Sequence, residues 1–217
     1  MKLLKKDLML ATSPLSWCFT AFGIMALIPG YPILVGAFFV SLGIYQSFQY
    51  AREANDILYS ALLPIRKRDV VKTKYLSTVM FQLLSFVLFA LCTAIRMTVW
   101  KNAAPYAENP LMAANFTFLG FVLLIYTAFN TVFLGGFFKT AYYFGKSFVL
   151  FIVTAFLIVA VGEALHHFPG LDWLNAVSGA DVVKQIPLFA VCAAAYIIGT
   201  LLSLRKSQAR FELIDLN

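Results

Sequence analysis

The sequence is poor in charged residues, which argues against an ordinary water-soluble domain. Asp, Glu, Lys and Arg together make up 12% of the residues, about half of what a globular domain carries. Hydrophobic residues make up 61%. The three cysteines, Cys18, Cys92 and Cys192, all fall within apolar stretches, so a disulfide framework is not expected.

The apolar stretches also lack the alternation of apolar and polar residues that marks the strands of a membrane barrel. Lipid admits only barrels and helices, and a helix needs about 20 apolar residues to cross it, so these stretches predict helices. We therefore predict an all-α membrane protein with a single transmembrane domain of six helices over residues 1–217. The predicted spans are residues 12–28, 33–49, 75–95, 111–138, 147–161 and 186–204.

Three segments outside the spans have patterns of their own. Residues 1–10 alternate apolar and basic side chains, which predicts an amphipathic N-terminal helix on the inner leaflet. Residues 53–63 predict a cytosolic helix between spans two and three. Residues 162–185 are too polar to span and too apolar for a free loop, so we expect two short re-entrant helices in the outer leaflet between spans five and six.

The 17 Lys and Arg residues are distributed unevenly between the two sides of these spans. With both termini in the cytosol, all but Arg96, Lys101 and Lys184 lie on the inner side, as the positive-inside rule requires. The net charge of +7 is thus explained by topology, and nucleic acid is not expected as a partner. The predicted location is the cell membrane, as a multi-pass protein of a bacterial inner or plasma membrane.

The segment between spans two and three, residues 50–76, holds nine charged side chains, and we call it the handle. Its first part predicts an amphipathic surface helix that ends at Pro64, because proline lacks the N–H that a helix needs. The apolar face would hold Ile57, Leu58, Ala61 and Leu62, and the polar face Glu53, Asp56, Tyr59 and Ser60.

The sequence offers no convincing catalytic site. Glu163, His166 and His167 contain the residue types of a zinc site, but adjacent histidines on a helix point about 100° apart, so no metal site is predicted. Gly145-Lys146-Ser147 resembles the end of a phosphate-binding loop, yet Thr140 stands where that loop requires glycine. We therefore expect no nucleotide site and no cofactor on this chain.

Uncharged polar residues also occur within the predicted spans, and most are expected to form hydrogen bonds between helices. Some could instead line a path for cargo. The candidate path residues are Gln46, Gln82 and Asn130 within the spans, with Glu163 at the outer side.

The handle resembles the segment after the second span in permease subunits of type-2 ATP-binding-cassette (ABC) exporters. The usual text of that family is close to Leu-Pro-Val-Ser-Arg, followed by Ile-Val and Lys-Tyr-Leu. The matching residues here are Leu63-Pro64-Ile65, Arg66-Lys67, Val70-Val71 and Lys74-Tyr75-Leu76, together with Glu53, Asp56 and Tyr59. Arg66 stands where the family often has Ser. Weaker likenesses are Tyr143-Phe144-Gly145-Lys146 and, in the tail, Phe211 with Asp215-Leu216.

The resemblance implies an exporter in which two permease subunits, identical or paralogous, pair within lipid. A separate ATP-binding subunit would dock below each of them, and ATP and Mg²⁺ would be bound there. The helix of residues 53–63 would act as the coupling helix that receives the ATPase. The likeness is nearest to bacterial permeases that export phenol-soluble modulins or antimicrobial peptides, which implies amphipathic peptides or other hydrophobic compounds as cargo.

The resemblance also implies which residues contact the ATPase. The implied docking residues are Glu53, Asp56, Ile57, Leu58, Tyr59, Leu62, Leu63, Pro64, Arg66 and Lys67, and the implied secondary contacts are Lys139, Tyr143 and Lys146. A different class of function stays open, namely a membrane scaffold that transports nothing, or an intramembrane enzyme that uses Glu163, His166 and His167.

Overall fold

The computed structural model describes residues 2–56, 65–140 and 143–214, and every regular element within them is a helix. The N-terminal half has α1 (Lys2–Lys6) with a π-helical turn (Asp7–Ala11), α2 (Pro14–Thr20) with a 3₁₀ helix (Ala21–Leu27), α3 (Val35–Glu53) and α4 (Lys67–Thr98). The C-terminal half has α5 (Ala104–Ala107), α6 (Phe116–Ala128), a π-helical turn (Phe129–Leu134), α7 (Gly135–Thr140), α8 (Gly145–Leu165), a 3₁₀ helix (Asp172–Asn175) and α9 (Ala180–Glu212).

Four of these helical segments are long and apolar enough to cross a membrane. They are α4, the continuous helix from α6 to α7, α8 and α9. A fifth crossing is added if the bent pair Leu3–Met9 and Pro14–Leu27, which turns by 88°, is counted as one span. The predicted all-α, multi-pass membrane class is thereby confirmed.

The helix of α6 and α7 lies at the centre of the molecule, and most of its side chains are buried. Phe133 in its π-helical turn packs against rings from α3, from α8 and from its own helix. Its ring partners are Tyr45, Phe48, Phe129, Phe137 and Phe148. By contrast, α4, α8 and α9 each carry rows of exposed large apolar side chains, as helices that contact lipid would.

α2 and α3 form a tightly packed antiparallel hairpin. The turn between them contains Gly30, whose φ of 70° is readily available to glycine. Ser16 Oγ donates a hydrogen bond of 2.5 Å to the carbonyl oxygen of Gly43. A Cβ atom on Gly43 would lie 2.2 Å from Cβ of Phe19, so glycine is what permits this close approach.

Two sequence predictions about the outer side need correction. The fourth span was expected to begin at residue 111, but α6 begins at Phe116, because Asn115 caps it by accepting a hydrogen bond from the Phe118 N–H. Two short helices were expected within residues 162–185. The structure instead has one, the 3₁₀ helix Asp172–Asn175, between an extended α8 and an α9 that starts at Ala180.

Candidate coupling site

The handle begins in the last turn of α3, and a single residue redirects the chain just after that helix ends. Asn55 has a φ of 50°, in the left-handed region that asparagine tolerates better than most residues. Its N–H donates to the Arg52 carbonyl oxygen, and that of Ala54 donates to the Tyr50 carbonyl oxygen. α3 is thus closed in the usual manner of a helix C-terminus, and Asp56 is the last residue described before the gap.

Asp56 lies in a buried cluster of four charged side chains, which we call the ion cluster. Lys6 Nζ donates to Asp56 Oδ1 at 2.5 Å, and Lys74 Nζ lies 3.1 Å from Asp56 Oδ2. Lys74 also donates to Asp7. Asp7, Asp56 and Lys74 are each at most 8% exposed. Through these pairs the ion cluster joins the N-terminal segment, the end of α3 and the start of α4.

The ion cluster balances its charges internally. Burial alone would raise the pKa of Asp56, but the charges and hydrogen bonds of Lys74 and Lys6 outweigh burial and hold that pKa below its usual range. Asp56 is therefore ionised at neutral pH. Removing one member would leave an opposite charge buried without its partner, which is the costly way to break such a pair.

This placement differs from the outward-facing role implied for Asp56. Its carboxylate is directed into the chain, whereas Glu53 and Arg66 are exposed on either side of the gap. Lys67 is half-buried and donates from Nζ to the Ile214 carbonyl oxygen at 2.6 Å. The remaining implied docking residues, Ile57, Leu58, Tyr59, Leu62, Leu63 and Pro64, lie outside the described residues.

The loop before α8 lies beside the end of α3. The Arg52 guanidinium carbon is 4.8 Å from the centroid of the Phe144 ring, a cation–π contact between the two segments. The implied secondary contact residues, Lys139, Tyr143 and Lys146, are all exposed around this loop. Glu53 and these three side chains are therefore accessible to a partner.

The C-terminal end of α9 is bound to the start of α4. Arg68 pairs with Glu212 at 2.5 Å, and Gln208 donates from Nε2 to the Arg68 carbonyl oxygen at 3.2 Å. Together with the contact between Lys67 and Ile214, these bonds hold the tail beside the handle.

Hydrogen bonds between buried side chains connect α4 with the π-helical turn after α6 and with α9 in the middle of the bundle. Gln82 and Asn130 exchange two amide hydrogen bonds, of 2.9 and 3.0 Å. Asn130 also donates to Thr200 Oγ1, and Tyr196 donates to Gln82 Oε1. Of the candidate path residues, this network unites Gln82 and Asn130, while Gln46 on α3 is only half-buried and takes no part in it.

Sequence reasoning missed the residues of α9 that complete this network. The Asn130 carbonyl oxygen lies in the π-helical turn and accepts hydrogen bonds from Tyr75 and Ser203. Tyr75 also bonds with Ser207. The signal was present in the spacing, because Tyr196, Thr200, Ser203 and Ser207 recur every three or four residues and so share one face of a helix.

The Glu163 region is engaged with the loop before α6. Glu163 Oε2 accepts a hydrogen bond from the Met112 N–H at 2.9 Å, and His166 Nε2 lies 3.1 Å from the Pro110 carbonyl oxygen. The rings of His166 and His167 are stacked obliquely, with centroids 4.1 Å apart. Glu163 and His166 therefore hold the loop before α6 in place.

The sequence model described as "ABC-2 family transporter protein" matches residues 2–208, which is nearly the whole chain. The chain belongs to the ABC-2 transporter family. No curated protein and no solved structure matches it.

Membership makes this ABC-2 chain the membrane subunit of a transporter, a part that is not itself catalytic. It also implies partnership with an ABC ATP-binding subunit. The predicted type-2 permease is thus confirmed at the level of the family, and the location as a multi-pass membrane protein is confirmed with it.

Proposed function

We propose that this ABC-2 chain is the membrane subunit of an ATP-driven exporter of the cell membrane. Two such subunits pair in lipid, and an ATP-binding subunit that holds ATP and Mg²⁺ docks under each. The docking element is the segment that begins at Glu53. The cargo is an amphipathic peptide or another hydrophobic compound.

The proposed topology has six spans with both termini in the cytosol. α3 has 19 residues and is therefore about 28 Å long, close to the thickness of the hydrocarbon layer. α2 with its 3₁₀ helix runs antiparallel to α3 and packs closely on it through Ser16 and Gly43. If one helix of this hairpin crosses the membrane, the other therefore brings the chain back to the side from which it started.

The ion cluster is the observation that carries the proposal. Asp56 is fixed to Lys74, and Lys74 lies near the cytosolic end of α4, a helix of 32 residues. A displacement of the docking segment would therefore move α4 as a rigid lever. The buried hydrogen bonds from Gln82 and Tyr75 would carry that movement to the centre of the bundle and to α9.

The test is a charge reversal on the accessible side of the docking segment. Glu53 is exposed and forms no ion pair within the described residues, so Glu53→Lys should leave the bundle folded. We expect it to reduce, by about fivefold or more, retention of a co-expressed ABC ATP-binding subunit, when purified chain is immobilised in lipid nanodiscs. Stimulation of ATPase activity should fall in parallel.

Glu108→Lys is the matched control. Glu108 is also exposed but lies on the proposed outer side, so its reversal should change neither retention nor ATPase activity. Equal retention by wild-type chain and the Glu53→Lys variant, at equal thermal stability, would remove Glu53 from the docking surface and contradict the proposal.

A further inference from the structure

A cavity of about 180 Å³ lies at the end of the bundle opposite the handle. Its walls come from the turn after the first 3₁₀ helix, the C-terminal end of α4, α5 and the loop before α6. One water needs only about 15 Å³ of such space, so the cavity has room for a small ligand.

Arg96 is the buried charge in the wall of this cavity. The residue is 4% exposed, yet among the described residues it pairs with no carboxylate. Its guanidinium lies 3.5 Å from the centroid of the Tyr106 ring, and Nη1 donates to the Trp100 carbonyl oxygen at 2.8 Å. Arginine has five N–H donors, and among the described residues the Trp100 carbonyl oxygen is the one acceptor that Arg96 has.

The rest of the lining suits an anion that carries an apolar group. Lys101 adds a second positive charge at the exposed rim, and no Asp or Glu is among the described residues that line the cavity. The side-chain oxygens of Asn109 and Asn175 already accept backbone N–H groups. Ala26, Ile33 and Val177 supply apolar wall beside the charges.

We propose that this cavity binds an oxyanion, either a carboxylate or a phosphate. The molecule that carries the oxyanion has a short apolar group next to it. Arg96 binds the oxyanion through N–H groups for which the described residues provide no acceptor. A planar guanidinium can donate two parallel hydrogen bonds to the two oxygens of such a group. Lys101 contributes long-range attraction at the rim. The assignment of this cavity to the outer face rests on the proposed topology, but the binding itself does not.

The probe is hexanoate, which carries a carboxylate and a short tail, against hexanamide, which is uncharged and has the same tail. Binding is measured by calorimetry on the full chain in nanodiscs of zwitterionic lipid. We expect saturable hexanoate binding by the wild-type chain and at least tenfold weaker binding of hexanamide. Arg96→Gln should weaken hexanoate binding about tenfold or more, and Lys101→Gln about twofold to fivefold.

Lys184→Gln is the control, because Lys184 is exposed, lies on the same proposed side and does not line the cavity. It should bind hexanoate as the wild type does. Lys101→Gln changes an exposed side chain and keeps the test decisive if Arg96→Gln fails to fold. Absence of saturable hexanoate binding, or equal binding by wild type and both cavity variants, would overturn the proposal.

A second set of nanodiscs, containing anionic lipid, identifies the source of the oxyanion. Hexanoate affinity that falls as the anionic lipid fraction rises would assign the site to a lipid headgroup. Unchanged affinity would assign it to a soluble or exported anion. Either result is independent of ATP-binding-subunit retention, so failure here and failure of the export proposal are distinguishable.

Discussion

At the scale of single residues, the ion cluster shows that a charged residue of the handle can pair within the chain and need not face a partner. Sequence pattern places Asp56 on a polar face, and polar faces of surface helices usually meet water or a partner. The structure gives its carboxylate two lysine partners within the same chain, Lys6 and Lys74. The reason could not be seen locally, because Lys6 is 50 positions away and only the fold brings it near.

This pairing predicts a pH dependence of stability. Because the folded-state pKa of Asp56 lies below its ordinary value of 3.8, its stabilising contribution is complete above about pH 4 and is lost as pH falls through the folded-state pKa. Asp56→Asn should lower the free energy of unfolding at pH 7 by about 2 kcal/mol, somewhat less than a fully broken buried pair, since Lys74 keeps Asp7.

The measurement is denaturant unfolding of both chains in detergent from pH 7 to pH 3. The difference between wild type and variant should be constant down to about pH 4 and should shrink below it. Asp181→Asn removes one partner of an exposed surface pair with Lys184 and should change little at any pH. A difference for Asp56→Asn that is absent at pH 7, or unaltered by acid, would contradict the prediction.

At the scale of helices, hydropathy predicted where the helices lie better than it predicted the residues at which they begin and end. Helices overlap every predicted span, because about 20 consecutive apolar residues have few alternatives in lipid. The boundaries depended on individual groups instead. Asn115 caps a helix that apolar composition alone would extend back to residue 111. The π-helical turn that presents the Asn130 carbonyl oxygen depends on tertiary bonds with Tyr75 and Ser203, which no local pattern encodes.

The hairpin of α2 and α3 gives a prediction in which two effects oppose each other. In a helix interior, alanine is favoured over glycine by about 1 kcal/mol. At Gly43, however, the added Cβ would lie 2.2 Å from Cβ of Phe19, a rigid part of that side chain. We expect the clash to win, so Gly43→Ala should lower the free energy of unfolding by about 1–3 kcal/mol.

Gly145→Ala is the control variant for Gly43→Ala. A Cβ on Gly145 would meet nothing within 4 Å, so propensity acts there without a clash and stability should not fall. Thermal unfolding of the two variants in the same detergent separates the effects. Gly43→Ala as stable as the wild type would mean that α2 and α3 are not packed as closely as described.

At the scale of the whole molecule, the export proposal depends on which side of the membrane each loop lies. The uneven distribution of Lys and Arg favours cytosolic termini, and the hairpin of α2 and α3 decides whether the handle returns to the cytosol. If only α2 crossed, the handle would lie on the side opposite the N-terminus. An ATP-binding subunit in the cytosol could then reach the handle or the N-terminal segment, but not both.

Single cysteines in a chain with Cys18, Cys92 and Cys192 replaced can decide this, using a charged maleimide that does not cross lipid. Pro29, in the turn between α2 and α3, Lys101 and Glu53 are all exposed. The proposed topology places Pro29 and Lys101 on the outer side and Glu53 on the inner side. In right-side-out vesicles, Pro29→Cys and Lys101→Cys should label at least tenfold faster than Glu53→Cys. Inside-out vesicles should reverse the order. Fast labelling of Pro29→Cys and Glu53→Cys from the same side would mean that α3 does not cross, and the docking segment would then need a different partner.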